Sequence, residues 1–188
     1  DFSGNQAQYG GAVDFSYTGT ATGTFTTCSF SGNTATKYGG AFYAESGSPV
    51  FDGCGFWGNS ATWSGGALYL DGGVSMTRCG SIRNHAGLVG SSMYCPTAQP
   101  IQITSCSFVA DSLGSAAIWF GANVSPVLDR TVIAFAKSAS GIYCDSGFPG
   151  TPTLTCCDIY GNEYGDWVGC IAGQAGSDGN ISEDPRFC

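Results

Sequence analysis

The sequence predicts an all-β chain whose parallel strands wind into a solenoid, and three observations predict it. Gly supplies 30 of 188 residues and only 11% are charged, a poor basis for helices, where Gly is costly and charged pairs lend support. The stretch "NTATKYGGAFYAESG" at 33–47 returns 26 residues later as "NSATWSGGALYLDGG". Aligned on their cysteines, the copies start at Cys28, Cys54, Cys79, Cys106, Thr131 and Cys157, at intervals of 26, 25, 27, 25 and 26 residues. A unit of this size cannot bury its own apolar side chains, so units must stack around one shared core. Strands of successive units then pair in parallel, roughly 4.8 Å apart. An antiparallel sandwich would not require the same residue at the same place in consecutive units.

The elements follow in order along each copy. A first copy without its leading Cys opens the chain, where "DFSGN" at 1–5 matches "SFSGN" at 29–33. Coils therefore start near 1, 28, 54, 79, 106, 131 and 157: about seven coils of 25–27 residues in a single domain, 1–188, with an irregular segment at 171–188. Three positions before each start stand Phe25, Phe51, Met76, Ile103, Leu128 and Leu154. Two positions after stand Phe2, Phe30, Phe56, Phe108, Ile133 and Ile159, with Ser81 the exception. A third column reads Val13, Phe42, Leu68, Met93, Ala117, Ile142 and Val168. Three apolar columns predict three sheets around the axis, and seven coils predict a rod roughly 34 Å long.

Between the columns, special residues recur. Asn5, Asn33, Asn59, Asn84 and Asn162 share one corner, with Asp111 and Ala136 completing the column. Stacked Asn side chains can bond up the stack and tolerate turn conformations, so a structural ladder is expected. "GGA" at 39–41 and 65–67 reads as a tight corner rather than a phosphate cradle. Cysteines in register permit the disulfides Cys28–Cys54, Cys79–Cys106 and Cys144–Cys170, with Cys157–Cys188 a looser pairing; buried thiols acting as small hydrophobes remain the alternative. Tyr43, Tyr69, Tyr94 and Tyr143 each follow the third apolar column, so strand alternation turns them outward in a stripe, interrupted by Ile118. Two readings stay open for that stripe: cross-strand packing, or a binding face for sugar rings or another subunit.

These residues resemble a known group, the secreted right-handed parallel β-helix proteins of bacteria, including those with polymorphic-outer-membrane-protein-like repeats. The resemblance rests on "CSFSGNTATKYGGAFY", "CGFWGNSATWSGGALY" and "SGIYCDSG", and on the tail "GNEYGDWVGCIAGQAGSDGNISEDPRFC". It implies a right-handed winding. For function it implies less, because such proteins include polysaccharide lyases, epimerases, adhesins and passive surface rods.

Composition narrows the partners. Six basic against fourteen acidic residues leave a net charge of −8, which repels nucleic acid and anionic membranes. No apolar stretch is long enough to cross a bilayer as a helix. Ten cysteines without paired C-x-x-C spacing point to an oxidising, extracellular place, at the cell surface or secreted, and to no structural zinc. Candidate charged chemistry is sparse. Asp129, Arg130 and Asp158 come nearest to a lyase-like cluster, and ordinary surface charge explains them more simply. The sole histidine, His85, excludes a multi-His metal site and reads as an exposed corner residue. No cofactor is expected, apart from Ca²⁺ as a candidate for the acidic tail at Asp178, Glu183 and Asp184.

The ends suggest association. Asp1 stands where a coil would already be under way, and joining "DPRFC" to "DFSGN" restores the internal pattern "CDIYGN". The expectation is a non-catalytic extracellular structural or adhesive rod, a piece or repeat unit of a longer assembly, that associates head-to-tail through its ends. The alternative is a carbohydrate-binding or lyase-like β-helix.

Overall fold

The computed structural model describes residues 1–16, 22–97, 100–110, 115–145 and 150–187. Each strand lies parallel to its counterpart one coil away, and four sheets run along the stack rather than three. Sheet I holds seven strands, from Phe2–Ser3 to Asp158–Tyr160. Sheet II holds four: Gln6–Tyr9, Thr34–Tyr38, Ser60–Ala61 and His85–Ala86. Sheets III and IV hold six each, from Val13–Phe15 to Ile142–Cys144 and from Thr24–Thr26 to Thr153–Thr155. The chain completes about six turns, one fewer than the cysteine starts suggest, because the seventh contributes only its strand of sheet I. Sheet II leaves no large apolar column in the sequence because its inward residues, Ala35, Ala61 and Ala86, are small.

The registers place two of the expected columns residue for residue. Phe25, Phe51, Met76, Ile103, Leu128 and Leu154 stack in sheet IV. Phe2, Phe30, Phe56, Ser81, Phe108, Ile133 and Ile159 stack in sheet I. Identical rings one coil apart can stack in parallel at the strand spacing, within the range of offset-stacked aromatic pairs: Phe2–Phe30 and Phe30–Phe56 centroids lie 4.7 and 4.9 Å apart, with nearly parallel planes. Ser81 is tolerated in this column because its hydroxyl accepts a 2.9 Å bond from Asn84 Nδ2.

Corners are made by single residues of positive φ. Sheet IV passes to sheet I through Thr27, Gly53, Arg78, Ser105, Arg130 and Cys156, at φ 48° to 63°. The GGA corner combines two demands. Gly39 and Gly65 take φ +63° and +68°, while a Cβ on Gly40 would stand 2.0 Å from the carbonyl oxygen of Gly66 in the next coil. Only Gly satisfies both positions.

Asn side chains join the coils from within. Asn5 Nδ2 donates to Asn33 Oδ1 at 2.9 Å, Asn33 Nδ2 to Asn59 Oδ1 at 3.0 Å, and Asn59 Nδ2 to Asn84 Oδ1 at 3.0 Å. Each Oδ1 also accepts the main-chain N–H of the preceding Asn. Asn162 does the same for the Ala136 N–H at 2.9 Å, and Asp111 lies outside the described residues.

The C-terminal end of the stack is closed. A 3-10 helix, Gly169–Gln174, buries Ile171 against the last coil and is tied to sheet III by the Cys144–Cys170 disulfide. Gln174 Oε1 accepts the Leu154 N–H, the Asp178 carbonyl accepts the Cys156 N–H, and Asn180 Oδ1 accepts the Cys157 N–H, at 2.8, 2.9 and 2.9 Å. Ile181 then adds a parallel bridge to Asp158. The segment after residue 170 therefore forms a cap that bonds the outer edges of the last strands of sheets IV and I.

Candidate binding face

Sheet III carries the most unusual surface. Its register aligns Asp14, Tyr43, Tyr69, Tyr94, Trp119 and Tyr143 on the outer side. Repeat spacing alone sets Ala117 in the inward column and Ile118 in the stripe; instead Ile118 pairs with Met93 and Ile142 inside the core. The shift by one residue places Trp119 in the gap, so five consecutive coils present aromatic rings.

The two halves of this stripe differ. Toward the N-terminal coils a second aromatic layer covers it: Tyr9 lies 5.0 Å from Tyr43, and Tyr38 lies 4.6 Å from Tyr69. Lys37 Nζ bonds Tyr9 Oη at 2.9 Å and sits over the rings of Tyr9 and Trp63. Tyr43 is only 8% exposed. Burial, followed by the nearby carboxylates of Glu45 and Asp71, pushes its hydroxyl up to about 12. Burial and Asp71 push Tyr69 up as well. The signal for this layer lies in the sequence, since Tyr9 and Tyr38 both precede the paired glycines of a corner.

Toward the C-terminal coils the stripe opens. Tyr143 is 40% exposed, and its ring centroid lies 3.9 Å from that of Trp119. Trp119 Nε1 donates to Asp145 Oδ1 at 2.9 Å, which fixes the indole. Two adjoining hollows of about 200 and 270 Å³ border these rings and share Ser140, Tyr143 and Tyr164. Tyr164 belongs to the turn between the strand Asp158–Tyr160 and the 3-10 helix, a position to which the repeat pattern assigns no role.

The remaining candidates are put to structural use. Cys144 and Cys170 are bonded, whereas Cys28, Cys54, Cys79, Cys106 and Cys157 are thiols, so the pairings Cys28–Cys54 and Cys79–Cys106 are not formed. Their sulfurs turn instead to main-chain carbonyls, with Cys54 Sγ 3.3 Å from the Phe25 oxygen and Cys106 Sγ 3.3 Å from that of Thr104. Burial pushes the Cys54 thiol up to about 11. Cys188, the partner considered for Cys157, lies outside the described residues.

Charged groups meet in pairs rather than in a cluster. Arg78 reaches Asp52 and Arg130 reaches Asp129, both at 2.6 Å on the surface. Asp158 accepts the Glu183 N–H at 3.0 Å, and burial raises its carboxyl. Asp184 accepts the Arg186 N–H, and among the described residues no three His, Cys, Asp or Glu side chains converge on a metal position. His85 is exposed on its sheet II strand.

Comparison with known proteins identifies the repeat. Residues 27–45 match the family model of the Chlamydia polymorphic membrane protein (Chlamydia_PMP) repeat. No curated protein and no solved structure matches the chain. The matched residues run from the positive-φ corner at Thr27 through the sheet I strand, the ladder Asn33, the sheet II strand and the glycine corner into the sheet III strand, three of the four strands of one coil. The molecule is thus a parallel β-helix. More particularly, it is one built on a repeat like that of the polymorphic membrane proteins.

Proposed function

We propose that this protein is a non-catalytic β-helix displayed outside the cell, which works as an adhesive rod through contacts along its side. The observation that carries this reading is the aromatic column of sheet III, continuous over five coils and increasingly exposed toward Tyr143. Rings of this kind supply large contact area with little conformational freedom to lose, as binding surfaces require. The repeat match supports a surface location, and the Cys144–Cys170 bond suits an oxidising compartment. Among the described residues no helix is long and apolar enough to cross a membrane.

Beads coated with the protein should adhere to glycan-bearing cell surfaces, and alanine at Tyr94, Trp119 and Tyr143 together should abolish that adhesion. Equal adhesion by the triple variant would refute the side-contact reading. Turnover of soluble uronan, with or without Ca²⁺, would instead favour a lyase-like enzyme. End-to-end self-association through strand edges is a second reading. It requires the C-terminal cap to move aside, and electron microscopy of filaments with an axial repeat near roughly 34 Å would support it.

A further inference from the structure

We propose that the cleft framed by Trp119, Tyr143 and Tyr164 is a subsite for an uncharged pyranose ring of a glycan chain; this rests on the adhesive reading above. Four features lead to it. The two adjoining hollows, about 200 and 270 Å³, together reach the lower part of the range of roughly 300–1,000 Å³ typical of small-molecule sites. Tyr143 and Tyr164, the latter 69% exposed, line both hollows, and Trp119, stacked on Tyr143 at 3.9 Å, lines the first. A pyranose presents apolar C–H faces above and below its ring, which suit such walls, and equatorial hydroxyls at its edge.

The polar groups at the margin suit those hydroxyls. Ser115, Ser138 and Ser140 line the first hollow, and Ser140 Oγ donates its proton to the Ile142 carbonyl at 2.9 Å, leaving its lone pairs to accept. The indole N–H is already given to Asp145, so Trp119 offers its face rather than a hydrogen bond.

The cleft is also built in advance. Tyr164 N–H bonds the Ala139 carbonyl at 3.1 Å, Glu163 Oε2 accepts the Ser138 N–H at 2.8 Å, and the Cys144–Cys170 bond forms part of the second hollow's wall. Little ordering remains to be done on binding.

Charge selects the class of sugar. Asp145 bonds Trp119 and Glu163 bonds Ser138, against Lys137 next to Ser138 in the chain, and the chain carries −8 overall, so the balance of charge disfavours uronates and sulfated sugars.

The test uses the full chain with its disulfide intact. It is screened on an array of neutral and uronic-acid oligosaccharides, and the best neutral tetraose is then titrated by tryptophan fluorescence. Saturable binding of a neutral tetraose is expected, weakened about three- to tenfold in Tyr164→Ala, which removes one ring from an exposed position. Trp57→Ala, at an exposed ring on sheet I, should leave binding unchanged. Absence of neutral-sugar binding, undiminished binding by Tyr164→Ala, or equal binding of uronates would each overturn the subsite. Bead adhesion that survives Tyr164→Ala while the array stays blank would remove the subsite and leave the adhesive reading standing. Beads of the unaltered protein that fail to adhere would remove the adhesive reading itself.

Discussion

Asn59 sits at the middle of the ladder, and replacing it with Ala measures what the ladder contributes. Its side chain makes four bonds: Oδ1 accepts from Asn33 N and Asn33 Nδ2, while Nδ2 donates to the Phe30 carbonyl and to Asn84 Oδ1. Asn33, Asn59 and Asn84 are each at most 1% exposed, so no water replaces what is lost. The Asn33 N–H loses its buried partner, at a cost of about 1–3 kcal/mol, whereas Asn33 Nδ2 keeps the Phe2 carbonyl and the Phe30 carbonyl stays within a strand paired on both sides. Asn84 Oδ1 keeps the Asn59 N–H at 2.8 Å and adds little to the loss. With the net loss of the further Asn–Asn bonds the sum is about 2–3 kcal/mol, a sizeable share of the stability of a domain this size. Asn5→Ala removes the ladder's last member at the exposed end and should cost about 1 kcal/mol or less. Urea unfolding followed by circular dichroism, with both variants beside the parent, reads the difference. Equal midpoints for the two variants would refute the claim that buried Asn–Asn bonds couple the coils.

Other outcomes follow from the same geometry. Gly40→Ala should prevent folding, because its Cβ would meet the Gly66 carbonyl oxygen at 2.0 Å, whereas Gly32→Ala, at φ +61° with open space, should cost only about 1 kcal/mol; soluble expression and melting curves compare them. Reducing Cys144–Cys170, which spans 26 residues, should lower stability by about 3.5 kcal/mol on the chain-entropy account, and an unchanged melting temperature in reductant would contradict it. Tyr43 ionises near 12 in the fold against about 10 when unfolded, so its contribution is complete below about pH 10 and is lost as pH rises through about 12. Absorbance of tyrosinate at alkaline pH, read with the unfolding midpoint, should show late-ionising tyrosines and a fall in stability over that window.

The stacking that makes the fold also makes it readable. Parallel coils in register demand like side chains at like places, so Phe25 over Phe51 and Phe30 over Phe56 stand out in the amino-acid sequence as a period. What lacks a large side chain leaves no such trace: the inward alanines of sheet II belong to strands as short as two residues. Trp119 is hidden by a one-residue slip in its coil, and only main-chain pairing with Tyr94 and Tyr143 restores the count. The segment after residue 170 breaks the period because it crosses the ends of the last strands instead of adding a full coil, and Tyr164 lies in the irregular turn that leads to it. Cysteine spacing finds the bonded pair Cys144–Cys170 but does not separate it from the stacked thiols Cys28, Cys54, Cys79 and Cys106, since a sulfur one coil from another also has a carbonyl within reach.

The link between Cys144 and Cys170 also governs how the rod bears load. A pull on the C-terminus would peel away the residues after 170 and then meet a covalent bond, through which tension passes directly into the sheet III strand Ile142–Cys144. The 26 residues spanned by that bond, including the turn that carries Tyr164, would hang slack and out of the line of force. Extension under tension would fall short by about 90 Å of contour until a reductant released it. An adhesive contact placed inside that loop would be shielded from the strain it helps to transmit.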